Sequence, residues 1–177
     1  LVAALKRRDQ GTQSHSERVA QNAFVVGREL QLSTADLETL YWSALLHDVG
    51  KLSVPEPILL KAGKLTEGEY NEVKRHPEYG AMLLTSMSSE FAKIADIVRA
   101  HHERWDGKGY PNGLSGQDIP QLSRIIAVVD VFEALTTLRP YREPMPLETA
   151  LAYLQQESEK HFDPEVVSVF LVCFQRG

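Results

Sequence analysis

The sequence of 177 residues contains one cysteine, Cys173, so no disulfide can form within it. This cysteine lies in the apolar stretch Val169 to Phe174, which favours a packed position in a reducing compartment. No apolar run reaches the roughly 18 residues that a membrane-spanning helix needs. A basic surplus is also missing, since the formal net charge is -5, whereas a protein that coats nucleic acid has a broad basic surface. We expect a cytoplasmic chain without membrane insertion and without a nucleic-acid polymer as partner.

Length and composition are those of one ordinary globular domain, with 43% hydrophobic and 24% charged residues. The sequence begins at Leu1 rather than at a methionine and shows no charged-then-apolar leader. We therefore expect residues 1–177 to be a single domain cut from a longer protein. Residues 1–12 would then be the end of a linker or helix from an N-terminal regulatory domain.

Apolar residues recur at helical spacing along most of the chain, as in Val19, Ala23 and Val26, and alternating strand-like runs are scarce. The pattern predicts an all-α bundle of seven or eight helices. These helices are predicted at about 14–31, 36–50, 66–75, 77–86, 89–104, 120–138, 146–158 and 163–175. Two longer loops rich in proline or glycine, Ser53 to Lys64 and Trp105 to Gln117, are predicted to line a site.

Two aspartates interrupt strongly apolar segments. Asp130 follows the run Ile125 to Val129, and Asp48 follows His47 at the end of the run Ser43 to Leu46. On helices, both carboxylates would be largely buried. A buried carboxylate is costly unless it is paired or bound to a metal, so these aspartates indicate a functional site.

The histidines strengthen this interpretation. His101 and His102 are consecutive at a predicted helix end, where their side chains would diverge by about 100° and suit a metal near the terminus. His15 and His76 stand in polar contexts. Taken singly, each has a structural alternative, such as a surface pair or a chance neighbour. Taken together, imidazole and carboxylate groups suit iron, manganese, nickel or zinc, and the lack of paired cysteines argues against a structural zinc site.

Seven candidate ligands are more than one tetrahedral site uses, whereas a two-metal centre with a bridging carboxylate can employ them all. The candidates are His15, His47, Asp48, His76, His101, His102 and Asp130. Asp48 is the predicted bridge. Two cations about 3.5 to 4 Å apart can bind a water between them, lower its pKa and neutralise a phosphodiester. The predicted reaction is hydrolysis of a phosphodiester with the metal-bound hydroxide as nucleophile.

The order of these motifs resembles the HD-GYP family. The resemblance runs from about Thr12 to Pro164 through HSERVA, LLHDVGK, HPEYGA, HHERWDGKGYP, DVFEALT, RPYR and HFDP. Members of that family are all-α cyclic di-GMP phosphodiesterases with iron or manganese centres. The resemblance therefore implies a helical bundle of the HD-domain type that linearises cyclic di-GMP to pGpG and, as an open alternative, continues to GMP.

The resemblance also implies which residues bind the metals. Six of the candidates match the family's ligands, and His15 matches a further ligand that some members use. Some members carry a glutamate four residues before this first histidine and hold three metals, but Gly11 stands there in this chain, and the nearest acid is Asp9. We therefore expect two ions, iron or manganese, with nickel, zinc and magnesium as alternatives.

Further residues are expected to contact the substrate. Lys51 lies three residues after Asp48, one helical turn away, where its charge can bind a phosphate oxygen or stabilise the leaving alkoxide. The resemblance places Gly109, Tyr110 and Pro111 against the ligand, with Tyr110 offering a hydroxyl or a stacking face.

Four charged residues near the predicted site have open roles. Arg139 and Arg142 suit a phosphate or a guanine edge, with a surface salt bridge as the alternative. Glu103 and Asp106 are either carboxylates that orient a ligating imidazole or partners in a loop salt bridge.

Three alternatives to a cyclic di-GMP phosphodiesterase stay open at this point. The first is a cyclic di-GMP binding or signalling module with negligible turnover, which the full set of ligands disfavours. The second is a nucleotide hydrolase acting on a mononucleotide, which the GYP loop and RPYR disfavour. The third is the same chemistry on cyclic GMP-AMP. A diguanylate cyclase or an N-terminal regulatory domain is expected as the protein partner.

Overall fold

A computed structural model of the protein describes residues 12–138 and 143–174, apart from the side chains of residues 12–14. Eight α-helices of seven or more residues and one of four residues lie within these ranges, without a β-strand among them. They are α1 (Thr12–Glu29), α2 (Thr34–Leu46), α3 (Glu56–Leu59), α4 (Glu67–Val73), α5 (His76–Met87), α6 (Ala92–Arg99), α7 (Gln121–Thr136), α8 (Leu147–Gln156) and α9 (Pro164–Phe174). The predicted all-α fold is confirmed.

Local signals explain where several helices begin. Thr66 and Glu69 form a reciprocal capping box at the start of α4, in which the Thr66 side chain accepts from the Glu69 amide and the Glu69 carboxylate accepts from the Thr66 amide. At the start of α2, the Ser33 side chain accepts from the Asp36 amide. Both helix starts are therefore fixed by side-chain caps.

Two predicted helices are shorter than their apolar patterns suggest. The helix expected over about 36–50 ends at Leu46 and is followed by a 3₁₀-helix over Val49–Ser53. Gly50 in that segment lies so close to α5 that a Cβ there would be 1.9 Å from the His76 carbonyl oxygen. The helix expected over about 89–104 begins at Ala92 and ends at Arg99, after which the chain turns. The pairs His47-Asp48 and His101-His102 therefore lie just after helix ends rather than inside helices.

The ends of α2 and α6 lie between two hydrophobic clusters. Leu45 and Ile97 belong to the larger cluster, which is built around the buried face of α7, and Leu46 and Val98 belong to a smaller cluster with α5. Close packing on both sides fixes these two helix ends. His47 and Asp48 follow the end of α2 directly, and His101 and His102 follow the end of α6 after Ala100.

Two further features of the fold concern the single cysteine and the apolar character of the helices. Cys173 on α9 is partly buried, and burial raises the pKa of its thiol. Within residues 12–138 and 143–174, none of the helices is long and apolar enough to span a bilayer.

Candidate metal centre

Three buried imidazoles are oriented in the same way by the backbone. In each, Nδ1 lies 2.6 to 2.8 Å from the carbonyl oxygen of the residue three positions earlier. The pairs are His47 with Ala44, His76 with Val73, and His101 with Val98. Because a carbonyl oxygen only accepts, each Nδ1–H donates, and each Nε2 of the neutral ring presents a lone pair. Such a second hydrogen bond is typical of metal-binding histidines.

The free ring nitrogens converge on one region. The Nε2 atoms of His76 and His101 are 3.3 Å apart, although the orientation of both rings gives each a lone pair. Among the described residues, the buried Nε2 of His47 has no hydrogen-bond partner. Lone pairs that face each other, and a buried acceptor without a donor, are unfavourable unless a cation lies among them. These residues therefore fit a divalent metal.

The Asp48 carboxylate faces histidines on both sides. Its Oδ1 is 3.3 Å from His76 Nε2, and its Oδ2 is 3.5 Å from His47 Nε2. Lys51 Nζ donates to Oδ2 at 2.6 Å. Burial raises the pKa of Asp48, but the Lys51 charge, together with the electrostatic influence of the surrounding imidazoles, outweighs burial and holds that pKa well below its usual range. The carboxylate is ionised at neutral pH and can serve two cations.

Asp130 extends from the middle of α7 toward the same region. Its Oδ1 lies 2.9 Å from His15 Nε2 on α1 and 3.8 Å from His47 Nε2. The side chain is 17% exposed, which agrees with the predicted burial. Burial raises its pKa, but the hydrogen bond from His15 and the proximity of His47 lower it below the usual range.

Two groups of candidate ligands result, each with ligand atoms within 4.8 Å of one another. One comprises His76, His101 and His102, and the other His15, His47 and Asp48. All seven residues predicted as ligands are thus brought together, with Asp130 beside the second group. Burial is the main cause that lowers the pKa of His76, His101 and His102, that of His102 to about 3. These rings are neutral at pH 7 and can bind a cation.

One geometric expectation is wrong. The rings of His101 and His102 do not diverge, because their centroids are 4.1 Å apart with an interplanar angle of 40°. The expected divergence assumed helical geometry, but α6 ends at Arg99, and both histidines lie on the following turn. The turn directs both rings to the same side.

A polar network that the sequence did not suggest lies one turn from His15 and Asp130. Arg18 Nε donates to Glu133 Oε2 at 2.7 Å, and Asn22 Nδ2 donates to Glu133 Oε1 at 2.6 Å. Glu133 is only 5% exposed, so its charge depends on these partners. The spacing of three residues from His15 to Arg18 and from Asp130 to Glu133 was the only available signal. The network fixes α1 against α7 and so positions both candidate ligands.

The glycine-rich loop is held against the centre by Glu103. This buried carboxylate accepts the amides of Asn112 at 2.7 Å and Leu114 at 3.0 Å. Gly109 packs so tightly that a Cβ there would be 2.4 Å from the Arg104 amide nitrogen. Glu103 therefore organises the loop, and its contacts are with main-chain amides.

Asp106 has the second of the two roles considered for it. Its carboxylate accepts from Arg104 at 3.0 and 2.8 Å and from the Lys108 amide at 3.1 Å. The Arg104 hydrogen bond is the main cause that lowers the pKa of Asp106 to about 2. Asp106 is part of a loop salt bridge.

The HFDP segment anchors the start of α9. Asp163 pairs with Arg124 of α7 and caps α9 by accepting from the Glu165 amide at 2.8 Å. The carbonyl of His161 accepts the Trp105 amide at 3.1 Å. The segment thus connects α7, α9 and the beginning of the glycine-rich loop.

A cavity of about 360 Å³ opens beside the histidines. His101, His102 and Asp130 line one part of it, and Gly109 and Tyr110 line another. The Tyr110 ring lies 4.9 Å from the His102 ring between centroids. The predicted contact residues Gly109 and Tyr110 therefore adjoin the candidate ligands, and Pro111 follows them in the same loop.

Five polar residues that sequence reasoning did not select also line the cavity. They are Tyr70, Lys74, Arg104, Lys108 and His161. They come from α4, the residue that caps it, the glycine-rich loop with the residue before it, and the HFDP segment, so no single motif reveals them. Burial lowers the pKa of His161 to about 4, so this ring is neutral at pH 7.

Four residues considered in the sequence lie outside the described residues. They are Asp9, Gly11, Arg139 and Arg142.

The sequence is similar to those of known proteins. The family described as HD domain matches residues 1–166. The chain belongs to the HD domain family. Its motifs and its relatives identify it as a member of the HD-GYP group.

Two curated relatives are similar over most of this HD-GYP chain. The cyclic di-GMP phosphodiesterase response regulator RpfG of Xanthomonas campestris pv. campestris is 44% identical over 172 residues, which are 97% of this chain and 46% of that protein. The 3'3'-cGAMP-specific phosphodiesterase 3 of Vibrio cholerae serotype O1 is 44% identical over 154 residues, which are 87% of this chain and 33% of that protein. The chain thus spans less than half the length of either relative.

A solved structure supports the fold. Bd1817, an HDG"Y"P protein from Bdellovibrio bacteriovorus, is similar with a TM-score of 0.73 and 20% identity over 93% of this chain and 52% of that chain. At this identity the likeness concerns the fold alone.

Proposed function

We propose that this chain is a metal-dependent phosphodiesterase that hydrolyses cyclic di-GMP to pGpG, with further cleavage to GMP as a second product to be tested. The observation that carries the proposal is the position of Asp48, whose two carboxylate oxygens face His47 on one side and His76 on the other. One carboxylate between two groups of ligands is the arrangement that a two-metal centre requires.

Two divalent ions, iron or manganese, would occupy the proposed centre, and Asp48 would serve as a ligand for both. His15, His47 and Asp130 would hold one ion, and His76, His101 and His102 the other. Bound there, the ions would lower the pKa of a water molecule and neutralise negative charge on the phosphodiester. Imidazole and carboxylate ligands without thiolates suit these ions, as they do nickel and zinc, whereas magnesium prefers oxygen ligands.

The chain's own residues would supply substrate binding. Lys51, whose ammonium lies 2.6 Å from Asp48, carries a positive charge to the place where a phosphate oxygen would approach the ions. Tyr110 lines the cavity and offers a ring face for a base. We further propose that Arg139 and Arg142 bind phosphate or a guanine edge.

A second candidate substrate is 3'3'-cGAMP, which is favoured by the name of the Vibrio cholerae relative. Both cyclic dinucleotides have the same phosphodiester ring and differ in one base. The metal ions would contact phosphate, so the choice between the substrates would depend on base contacts around the cavity.

The experiment is product analysis with protein purified without oxygen and without chelator. Chromatography of reactions with cyclic di-GMP, pGpG and 3'3'-cGAMP is expected to show linear pGpG from cyclic di-GMP, at a higher kcat/KM than for 3'3'-cGAMP. Binding of cyclic di-GMP without cleavage by metal-loaded protein would instead identify a signalling module. Faster cleavage of 3'3'-cGAMP would identify it as the preferred substrate.

Lys51→Ala tests the role of the chain's own charge. We expect turnover to fall while both metals stay bound, because Lys51 is assigned to substrate rather than to metal. Loss of metal from the Lys51→Ala protein would contradict this assignment.

A diguanylate cyclase partner, an N-terminal regulatory domain and cytoplasmic location stay predictions.

A further inference from the structure

We propose that Lys74 forms a second anion-binding subsite, which takes the phosphodiester of the cyclic dinucleotide that is not at the metal ions. This inference rests on the proposed function and deepens it by assigning a role to the cavity wall away from the candidate ligands. Two observations support it. Aromatic rings position the Lys74 ammonium, and the other cations that line the cavity are paired with a carboxylate.

Two aromatic rings hold the Lys74 ammonium at the cavity. Its Nζ lies 4.9 Å from the centroid of the Tyr70 ring and 5.3 Å from that of the Tyr110 ring. The Lys74 amide also donates to the Tyr70 carbonyl at 3.0 Å, which fixes the backbone at the end of α4. Cation–π contacts position an ammonium without neutralising its charge. The charge is therefore available to an anion in the cavity.

The other cations that line the cavity among the described residues have carboxylate partners. Arg104 makes two hydrogen bonds to Asp106, at 3.0 and 2.8 Å. Lys108 lies 4.0 Å from the same carboxylate, and its side chain is 80% exposed. Within residues 12–138 and 143–174, Lys74 has no carboxylate within ion-pair distance. It is thus the cavity cation whose charge is least compensated.

The position of Lys74 matches the shape of the substrate. Its partner Tyr110 contacts His102, with ring centroids 4.9 Å apart, so the ammonium lies one ring away from the candidate ligands. A cyclic dinucleotide has two phosphodiesters on opposite sides of one ring. When one lies at the metal ions, the other needs a separate cation, because an unpaired charge in a partly buried cavity is costly. Lys74 meets this need.

The test compares two substrates in the metal-loaded protein. Cyclic di-GMP has the second phosphodiester, and bis(p-nitrophenyl) phosphate, which has one phosphodiester, does not. For Lys74→Met, we expect the KM for cyclic di-GMP to rise by about tenfold or more, as the loss of one charge-assisted hydrogen bond implies, with kcat and metal content nearly unchanged. Cleavage of bis(p-nitrophenyl) phosphate should be unaffected. Lys74→Arg should restore most of the affinity.

Ionic strength gives a second readout, which a purely structural role would not change. Added salt should raise the KM of the wild type more steeply than that of Lys74→Met, because one ion pair is missing in the variant. Lys93→Met is the matched control, since Lys93 pairs with Asp36 on the surface and its side chain is 61% exposed. This control should behave as the wild type does.

The outcomes separate the inference from the proposed function. Two results for Lys74→Met would contradict the second subsite: an unchanged KM for cyclic di-GMP, or an equal fall in kcat/KM for both substrates. Either result would leave the phosphodiesterase assignment intact. A wild-type protein that cleaves bis(p-nitrophenyl) phosphate but no cyclic dinucleotide would overturn the proposed substrate, and the subsite with it.

Discussion

The two halves of the centre are supported by different parts of the chain. The histidine half, His76, His101 and His102, contains no carboxylate, and main-chain carbonyls orient two of its three rings. The carboxylate half, which we define as His15, His47 and Asp130, joins α1 to α7 and adjoins the side-chain network of Arg18, Asn22 and Glu133. Asp48 faces both halves.

This difference indicates how each half can be weakened. A main-chain carbonyl is not removed by a side-chain substitution. The metal affinity of the histidine half should therefore change little when neighbouring side chains are substituted. The carboxylate half depends on side-chain contacts between α1 and α7, which are far apart in sequence. Substitution of a side chain that supports these contacts should therefore lower the affinity for the metal. Substitutions should therefore differ in effect according to whether they affect both halves, one half or a single ring.

Asp48→Ala should have the largest effect, because it removes the group that serves both halves. We expect neither ion to be retained after gel filtration and no cleavage of cyclic di-GMP to be detected. Metal analysis of the folded variant, with folding verified by circular dichroism, is the measurement. Normal activity with both metals in place would show that Asp48 does not bridge.

His15→Ala should separate the two halves. The ion in the carboxylate half loses a ligand, whereas His76, His101 and His102 are unchanged. We expect the metal content to fall from two ions toward one per chain, with most activity lost. An equal loss of both ions would mean that the two halves bind metal as one unit.

Glu133→Ala should weaken the carboxylate half without touching a ligand. It leaves Arg18 and Asn22 without their buried acceptor, which should lower the free energy of unfolding by about 1–3 kcal/mol. Loss of outer support typically lowers metal affinity by about 10- to 100-fold, and we expect this in the carboxylate half alone. Metal titrations measured by calorimetry would show it as one weakened site out of two.

Glu38→Ala is the matched control for Glu133→Ala, since Glu38 is exposed on α2. Its stability and metal affinity should equal those of the wild type. If Glu133→Ala behaved like this control, the network would have no positioning role.

The smallest effect concerns the pH dependence of the metal-free protein. Burial lowers the pKa of His102 from 6.5 to about 3, so folding favours the neutral ring. The stability linked to this group is fully present above pH 6.5 and is lost as the pH falls from there toward 3. His102→Gln cannot be protonated, so its Tm should fall less over this range than that of the wild type. Parallel Tm curves in the presence of chelator would contradict the shifted pKa.

The sequence predicted much of the fold and all seven candidate ligands, for identifiable reasons. Asp130 could be found because a carboxylate buried within the apolar run of α7 is costly unless it is paired or bound to a metal. The apolar periodicity of α1 and α7 predicted the positions of both helices. Polar residues within apolar segments are visible without a structure.

Other features depend on tertiary packing and were not predictable. The end of α2 at Leu46 follows from the close approach of Gly50 to α5, which no local pattern encodes. Lys74 and His161 enter the cavity from segments far apart in sequence. Glu133 resembles an ordinary helical acid until α1 brings Arg18 against it. Each case needs a contact between distant parts of the chain.

The most direct test of the two-half centre is the metal content of protein purified without oxygen and without chelator, calibrated by amino-acid analysis and compared with the cyclic di-GMP cleavage rate of the same sample. The account predicts two divalent ions per chain, with activity increasing as the second site fills. Three tightly bound ions, or full activity with one, would contradict it.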